Sequence, residues 1–102
     1  MLEIKPSCEH CDKDLPADSR EAMICSFECT FCSACVQTLL ENVCPNCGGG
    51  FQSRPVRPSK PHKGQACLDA YPAATERLHR PKDLAAHRAF SEDLKKIDPC
   101  YR

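Results

Sequence analysis

The sequence predicts a small metal-stabilised α+β fold, and three observations carry that expectation. Residues 8–47 hold eight cysteines, arranged as Cys8-x2-Cys11, Cys25-x3-Cys29-x2-Cys32-x2-Cys35 and Cys44-x2-Cys47. Large apolar side chains are sparse in the same half: Leu2, Ile4, Leu15, Ile24, Phe27, Phe31, Leu39 and Leu40 make too thin a core to fold unaided. A short apolar run precedes Cys25, and helical spacing follows Cys32. Two cysteines two residues apart turn both sulfurs toward one ion, and two such turns complete a tetrahedron. Eight thiolates thus predict two closed Zn(Cys)4 sites, with Cys8, Cys11, Cys25, Cys29, Cys32, Cys35, Cys44 and Cys47 as ligands. Each zinc would supply about 10 to 16 kcal/mol of apparent binding energy. A closed site offers no position for water or substrate, so the expected role is structural and not enzymatic.

Ten cysteines in 102 residues also suit a disulfide framework, and compartment separates the readings. Met1 to Cys8 shows no apolar h-region and no small-residue cleavage site. No run reaches the roughly 18 apolar residues that span a membrane. The expected setting is therefore cytoplasmic, with reduced thiols binding zinc in preference to disulfides or an iron–sulfur centre.

Charge divides the chain although the total is zero. Residues 1–53 carry eight acids and three bases, 3 − 8 = −5, and residues 54–102 carry eleven bases and six acids, 11 − 6 = +5. Metal-bound thiolates make the first half more negative still, so that half should repel phosphate.

The elements follow in order. Leu2-Glu3-Ile4 alternates and is expected as a short strand ended by Pro6. Cys8-Glu9-His10-Cys11 forms a knuckle in which His10 points away from the metal. Residues 12–18 are polar and contain Pro16, which predicts a loop, and Ala22-Met23-Ile24 predicts a strand entering Cys25. Val36, Leu39, Leu40 and Val43 stand at i, i+3, i+4 and i+7, one face of a helix that Ser33 could cap. That helix bears on the cysteine pairing. Sulfurs on one zinc lie about 3.8 Å apart, whereas nine helical steps from residue 35 to 44 separate the ends by about 14 Å. Interleaving is then the easier arrangement: Cys8, Cys11, Cys32 and Cys35 on one ion, Cys25, Cys29, Cys44 and Cys47 on the other. Consecutive pairing, in ribbon style, survives if the helix is one turn long.

With these residues in place the chain resembles a RING finger, including Phe31 before the fifth ligand and Pro45 inside the last pair. The first sixty residues more closely resemble a family of small bacterial cysteine-rich proteins of unassigned function, through Cys-Asp-Lys-Asp-Leu-Pro, Ile-Cys-Ser-Phe-Glu-Cys-Thr-Phe-Cys and Cys-Pro-Asn-Cys-Gly-Gly. The resemblance implies a RING-like zinc cross-brace of short β-hairpin and short helix. It brings no activity with it. RING fingers that act in ubiquitin ligases dock a conjugating enzyme through positions that here hold His10, the 36–40 helix face, Pro45 and Gly48, and Pro45 alone matches cleanly. Cys29 stands where most RING fingers have histidine.

Beyond Gly48-Gly49-Gly50, residues 54–66 form a basic, proline-spaced linker whose cations should face outward. The final division, 67–102, is expected to be helical. Residues 72–79 are a weak candidate, and Asp83 to Ile97 a stronger one, with Ala86, Phe90, Leu94 and Ile97 on one face and Pro99 beyond its end. Opposite net charge favours docking on the zinc module, residues 1–53. Cys67 and Cys100 lack a second cysteine at knuckle spacing, and His62, His79 and His87 complete no common pattern with them. The expected function is that of a protein–protein interaction or regulatory adaptor, with a patch around Phe27, Pro45 and the 36–43 helix. Conjugating-enzyme docking and nucleic-acid binding through the basic half are the alternatives.

Overall fold

The computed structural model describes residues 1–102, and its centre is a hairpin whose two strands each run into a cysteine. Strand β1, Ala22–Ile24, pairs antiparallel with β2, Thr30–Cys32, with Met23 opposite Phe31. The loop between them closes by Glu28 N–H to Cys25 O at 3.0 Å and Cys25 N–H to Cys29 O at 3.2 Å, with Glu28 left-handed at φ 64°. This is a three-residue hairpin with a bulge, and it sets Cys25 across from Cys29. A third strand, β3, Gln52–Ser53, pairs with the other edge of β1 and gives the sheet order β2-β1-β3. No sequence signal marks β3, because two residues are too few to show a period.

Leu2-Glu3-Ile4 is not a strand. Ile4 is instead buried as a plug, and the adjoining pairing is a single bridge between Ser7 and Asp14. The helix after Cys32 is also shorter and wider than its spacing suggests. One α-turn, Ser33–Cys35, runs into a π-turn, Val36–Leu40, together α1. Ser33 lies inside it and does not cap it. Glu41 and Asn42 both turn left-handed, and their amides close on Val36 O. The wide turn keeps Val36 and Leu40 inward but swings Leu39 out, to 38% exposed.

The core lies between the sheet, α1 and the cysteine loops. Five of its eleven clustered residues are cysteines, packed with Leu15, Ala22, Phe31, Val36, Leu40 and Phe51. Phe31 and Phe51 meet edge to face with ring centroids 5.5 Å apart. Sulfur clusters and apolar core are one unit, which is what a half-chain with so few large side chains requires.

The second half straps itself across the first. Arg54 and Arg57 do not point outward as the linker pattern suggests. Arg54 is 4% exposed, and its guanidinium donates to Lys5 O, Leu15 O and Pro16 O at 2.7, 3.2 and 2.9 Å. Arg57 reaches Leu2 O at 2.8 Å and Tyr71 O at 2.5 Å. Residues 72–79 form no helix, because the first half supplies partners along their path. Ala74 N–H bonds Ile4 O and Arg80 N–H bonds Glu9 O, while the Arg77 side chain grips Asp12 and Asp14. Helix α2, Leu84–Leu94, starts at Asp83, whose carboxylate accepts from Ala85 and Ala86 N–H. The expected face, Ala86, Phe90, Leu94 and Ile97, is buried only in part, with Leu94 and Phe90 lying against Gly48. The buried positions are His87 and Ser91, flanked by half-buried Leu84 and Leu94, while Phe90 is 48% exposed. A 3₁₀ turn, Pro99–Tyr101, ends the chain.

Candidate metal centre

Four structural devices place the cysteines. Cys8 and Cys44 open equivalent knuckles. Cys8 N–H bonds Lys13 O at 2.9 Å and Cys8 O accepts from Asp12 N–H at 3.0 Å, while Cys44 N–H bonds Gly49 O at 2.8 Å and Cys44 O accepts from Gly48 N–H at 2.7 Å. Each needs a left-handed residue after its second cysteine, Asp12 at φ 63° and Gly48 at φ 81°. The hairpin loop places Cys25 and Cys29, and the step from β2 into α1 places Cys32 and Cys35.

The result is interleaved. Cys8, Cys11, Cys32 and Cys35 form one cluster and Cys25, Cys44 and Cys47 a second, with the sulfurs of each lying within 4.8 Å of one another. In the first, Cys8 to Cys35 is 3.9 Å and Cys11 to Cys32 is 3.7 Å. Those separations fit a tetrahedral ion with bonds of about 2.3 Å and are far above the roughly 2.05 Å of a disulfide. The chain therefore does not pair its knuckles consecutively. Of the eight residues picked out by spacing, Cys29 alone falls outside the mutual groups. Its thiol nevertheless lies against Cys25, Cys44 and the Asn46 amide.

The electrostatics favour a cation. Burial pushes the Cys35 and Cys44 thiols well up, and neighbouring sulfurs add to this: Cys32 and Cys8 at Cys35, Cys29 and Cys25 at Cys44. Burial raises Cys29 as well, while the Asn46 hydrogen bond draws it down. Crowded buried thiols resist ionising beside one another, and a divalent ion among them reverses that balance. Amide donors are in place: Phe27 N–H points at Cys25 Sγ and Gly49 N–H at Cys47 Sγ, both at 3.4 Å. The donor sets thus fit metal ions at both clusters.

The spaces between the cysteines hold what spacing alone did not identify. His10 Nδ1 accepts from Lys82 N–H at 2.9 Å, so this nitrogen serves the second half of the chain. Glu9 is 4% exposed and its carboxylate takes Asn46 Nδ2–H at 2.9 Å and Lys82 Nζ at 2.5 Å. The one signal for these partners was an acid and an amide sitting inside knuckles, where side chains face away from the ion. Gly48 and Gly50 form a landing surface. A Cβ on Gly48 would meet Leu94 at 3.3 Å and Phe90 at 3.4 Å, and one on Gly50 would meet Pro99 at 2.7 Å. Cys67 is buried away from both clusters, and Cys100 is exposed, its thiol donating to Asp98.

Fold and clusters define the class: a small α+β protein with a three-stranded sheet, two helices and two cysteine clusters able to hold metal ions. The chain belongs to the family described as protein of unknown function (DUF1272), whose model matches residues 1–57. It is 52% identical over 89 residues to an uncharacterized protein of Rhizobium meliloti (strain 1021), covering 87% of this chain and 99% of that one. At least 89 − 57 = 32 of those aligned residues lie beyond the family segment, so the likeness extends into the strap. No solved structure matches the chain. No helix is long and apolar enough to cross a membrane.

Proposed function

We propose that residues 1–53 form a two-zinc, RING-like structural module and that the protein acts as a protein–protein interaction or regulatory adaptor. The observation that carries the reading is the interleaving of two cysteine clusters through one hairpin and one short helix. In the proposed holo form, Cys8, Cys11, Cys32 and Cys35 hold one ion, and Cys25, Cys44, Cys47 and Cys29 hold the other. Four thiolates close each tetrahedron, so the ions would brace loops and not present a reactive water. All-sulfur sites of this geometry suit zinc, which asks for no redox chemistry and no particular d-electron geometry.

The adaptor reading is favoured over phosphate binding because six of the eleven cations beyond residue 53 are used within the chain. Arg54, Arg57, Arg77, Lys82, Lys95 and Arg102 all bond to groups of the chain itself. The exposed surface also presents aromatic side chains: Phe27 is 73% exposed and Phe90 48%. Phe27 lines a hollow with Gly48, Leu94 and Pro99.

The test is elemental analysis of the full chain purified without added zinc, with circular dichroism before and after a chelator. Two zincs per chain and loss of structure on chelation are expected. One zinc, none, or iron in place of zinc would overturn the reading.

A further inference from the structure

The second half of the chain is fastened to the metal-binding loops themselves. Lys82 Nζ lies 2.5 Å from Glu9 Oε2 and 3.2 Å from Asn46 Oδ1, and Asn46 Nδ2 donates to that same Glu9 oxygen at 2.9 Å. Glu9 sits between Cys8 and Cys11 of the first cluster, and Asn46 between Cys44 and Cys47 of the second. The Asn46 amide thus serves both partners, donating from Nδ2 to Glu9 and accepting at Oδ1 from Lys82. The Glu9 and Lys82 side chains are 5% and 14% exposed, which makes this a shielded pair whose partners must all be in place together. Two further bonds tie the same stretch to the first knuckle: Arg80 N–H to Glu9 O at 2.8 Å and Lys82 N–H to His10 Nδ1 at 2.9 Å. Immediately beyond, α2 lands on Leu40 O through His87 Nε2 at 3.1 Å and on Gly48 through Leu94 and Phe90.

We propose that Glu9, Asn46 and Lys82 form a clasp through which metal occupancy at the two clusters and closure of residues 80–94 over the module control each other. The proposal rests on the two-metal reading above. The physical ground is linkage. Glu9 and Asn46 come together only when both knuckles hold their folded shape, and those shapes crowd thiols that an ion would stabilise. Lys82 then binds the assembled pair, not either loop alone. Whatever favours the knuckles favours closure, and closure favours the knuckles by the same factor. Loss of metal from either cluster opens the strap and bares Pro45 and the end of α1.

The test compares the full wild-type chain with Lys82→Met, each loaded with zinc. Hydrogen exchange is read over residues 80–94, and zinc transfer to a chromophoric chelator is timed. Expected in Lys82→Met are two bound zincs, at least tenfold faster exchange over 80–94, and severalfold faster zinc release from both clusters. Glu9→Gln, which keeps the shape and an acceptor oxygen, should shift both readouts in the same direction and serves if Lys82→Met does not fold. Adding Glu9→Gln to Lys82→Met should change little more. Two zincs with unchanged exchange, or fast exchange with wild-type zinc release, overturns the clasp and leaves the two-metal reading intact. A wild-type chain that binds no zinc defeats that reading first and the clasp with it.

Discussion

The two halves of this molecule are held by different physics. Of its 21 buried residues, only Arg54, Cys67, His87 and Ser91 come from beyond residue 53, and three of those are polar. The first half buries sulfur and hydrocarbon around short elements. The second half buries almost nothing of its own and is fixed by directed bonds to carbonyls and carboxylates it finds on the first. Charge tells the same story. Four of five ion pairs join a cation of the second half to an acid of the first: Arg77 to Asp12 and to Asp14, Lys82 to Glu9, Lys95 to Glu41. The fifth, Lys13 to Glu21, lies within the first half. The lesson is one of dependence: a strap without a core takes its shape from the body beneath it.

The strongest way to break the contrast is to remove metal. Each structural zinc is worth about 10 to 16 kcal/mol, more than a small domain's whole stability. Chelation is expected to unfold the first half, and the second should lose its ordered amide signals in the same step. NMR spectra of the full chain follow both halves, and a strap that stayed ordered alone would refute the dependence. Acid should act in the same direction, because protons compete with metal for thiolates.

A substitution confined to the core comes next. Phe31 is fully buried against Phe51, and Phe31→Ala should cost about 3 to 5 kcal/mol in urea unfolding with metal present. Arg54 joins the halves. Arg54→Met keeps bulk but leaves three carbonyls without their donor, at a cost of about 2 to 3 kcal/mol. Gly50→Ala sharpens the contrast by acting on the strap alone. Its methyl group would fall on the Pro99 ring, so the 99–101 turn should lift at about 1 to 3 kcal/mol, seen as local hydrogen exchange with sheet amides unchanged. The smallest effect is expected at Lys95→Ala. Its partner Glu41 is 43% exposed on the side chain, and such a pair contributes less than about 0.5 kcal/mol.

How far this was legible in the sequence follows the same division. Cysteine spacing and the reach of a short helix favoured interleaving over consecutive pairing, and the clusters are interleaved apart from the offset of Cys29, although the helix ends at Leu40. The apolar run before Cys25 gave β1. The position of Asp83 gave the start of α2, whose cap it proves to be. Reading failed where an element's face depends on a distant partner. Apolar period put Phe90 inward on α2, but Leu40 offers a carbonyl and Gly48 a bare backbone. His87 and Ser91 turn to the core instead, and Phe90 stays half out. Residues 72–79 read as a weak helix because nothing local shows that Ile4, Glu9, His10, Asp12 and Asp14 hold this stretch. Arg54 reads as a surface cation on the same ground.

The sequence by itself determined which residues could hold metal, because thiolate geometry is strict and local spacing encodes it, and it favoured interleaving over consecutive pairing without deciding between them. Only the tertiary structure decided where the basic half lies, which side of α2 faces inward, and that Glu9 and Asn46 meet over Lys82. Those outcomes depend on hydrogen-bonding groups up to 73 residues apart (Glu9 to Lys82, 82 − 9), and no period or composition along the chain records such a partner.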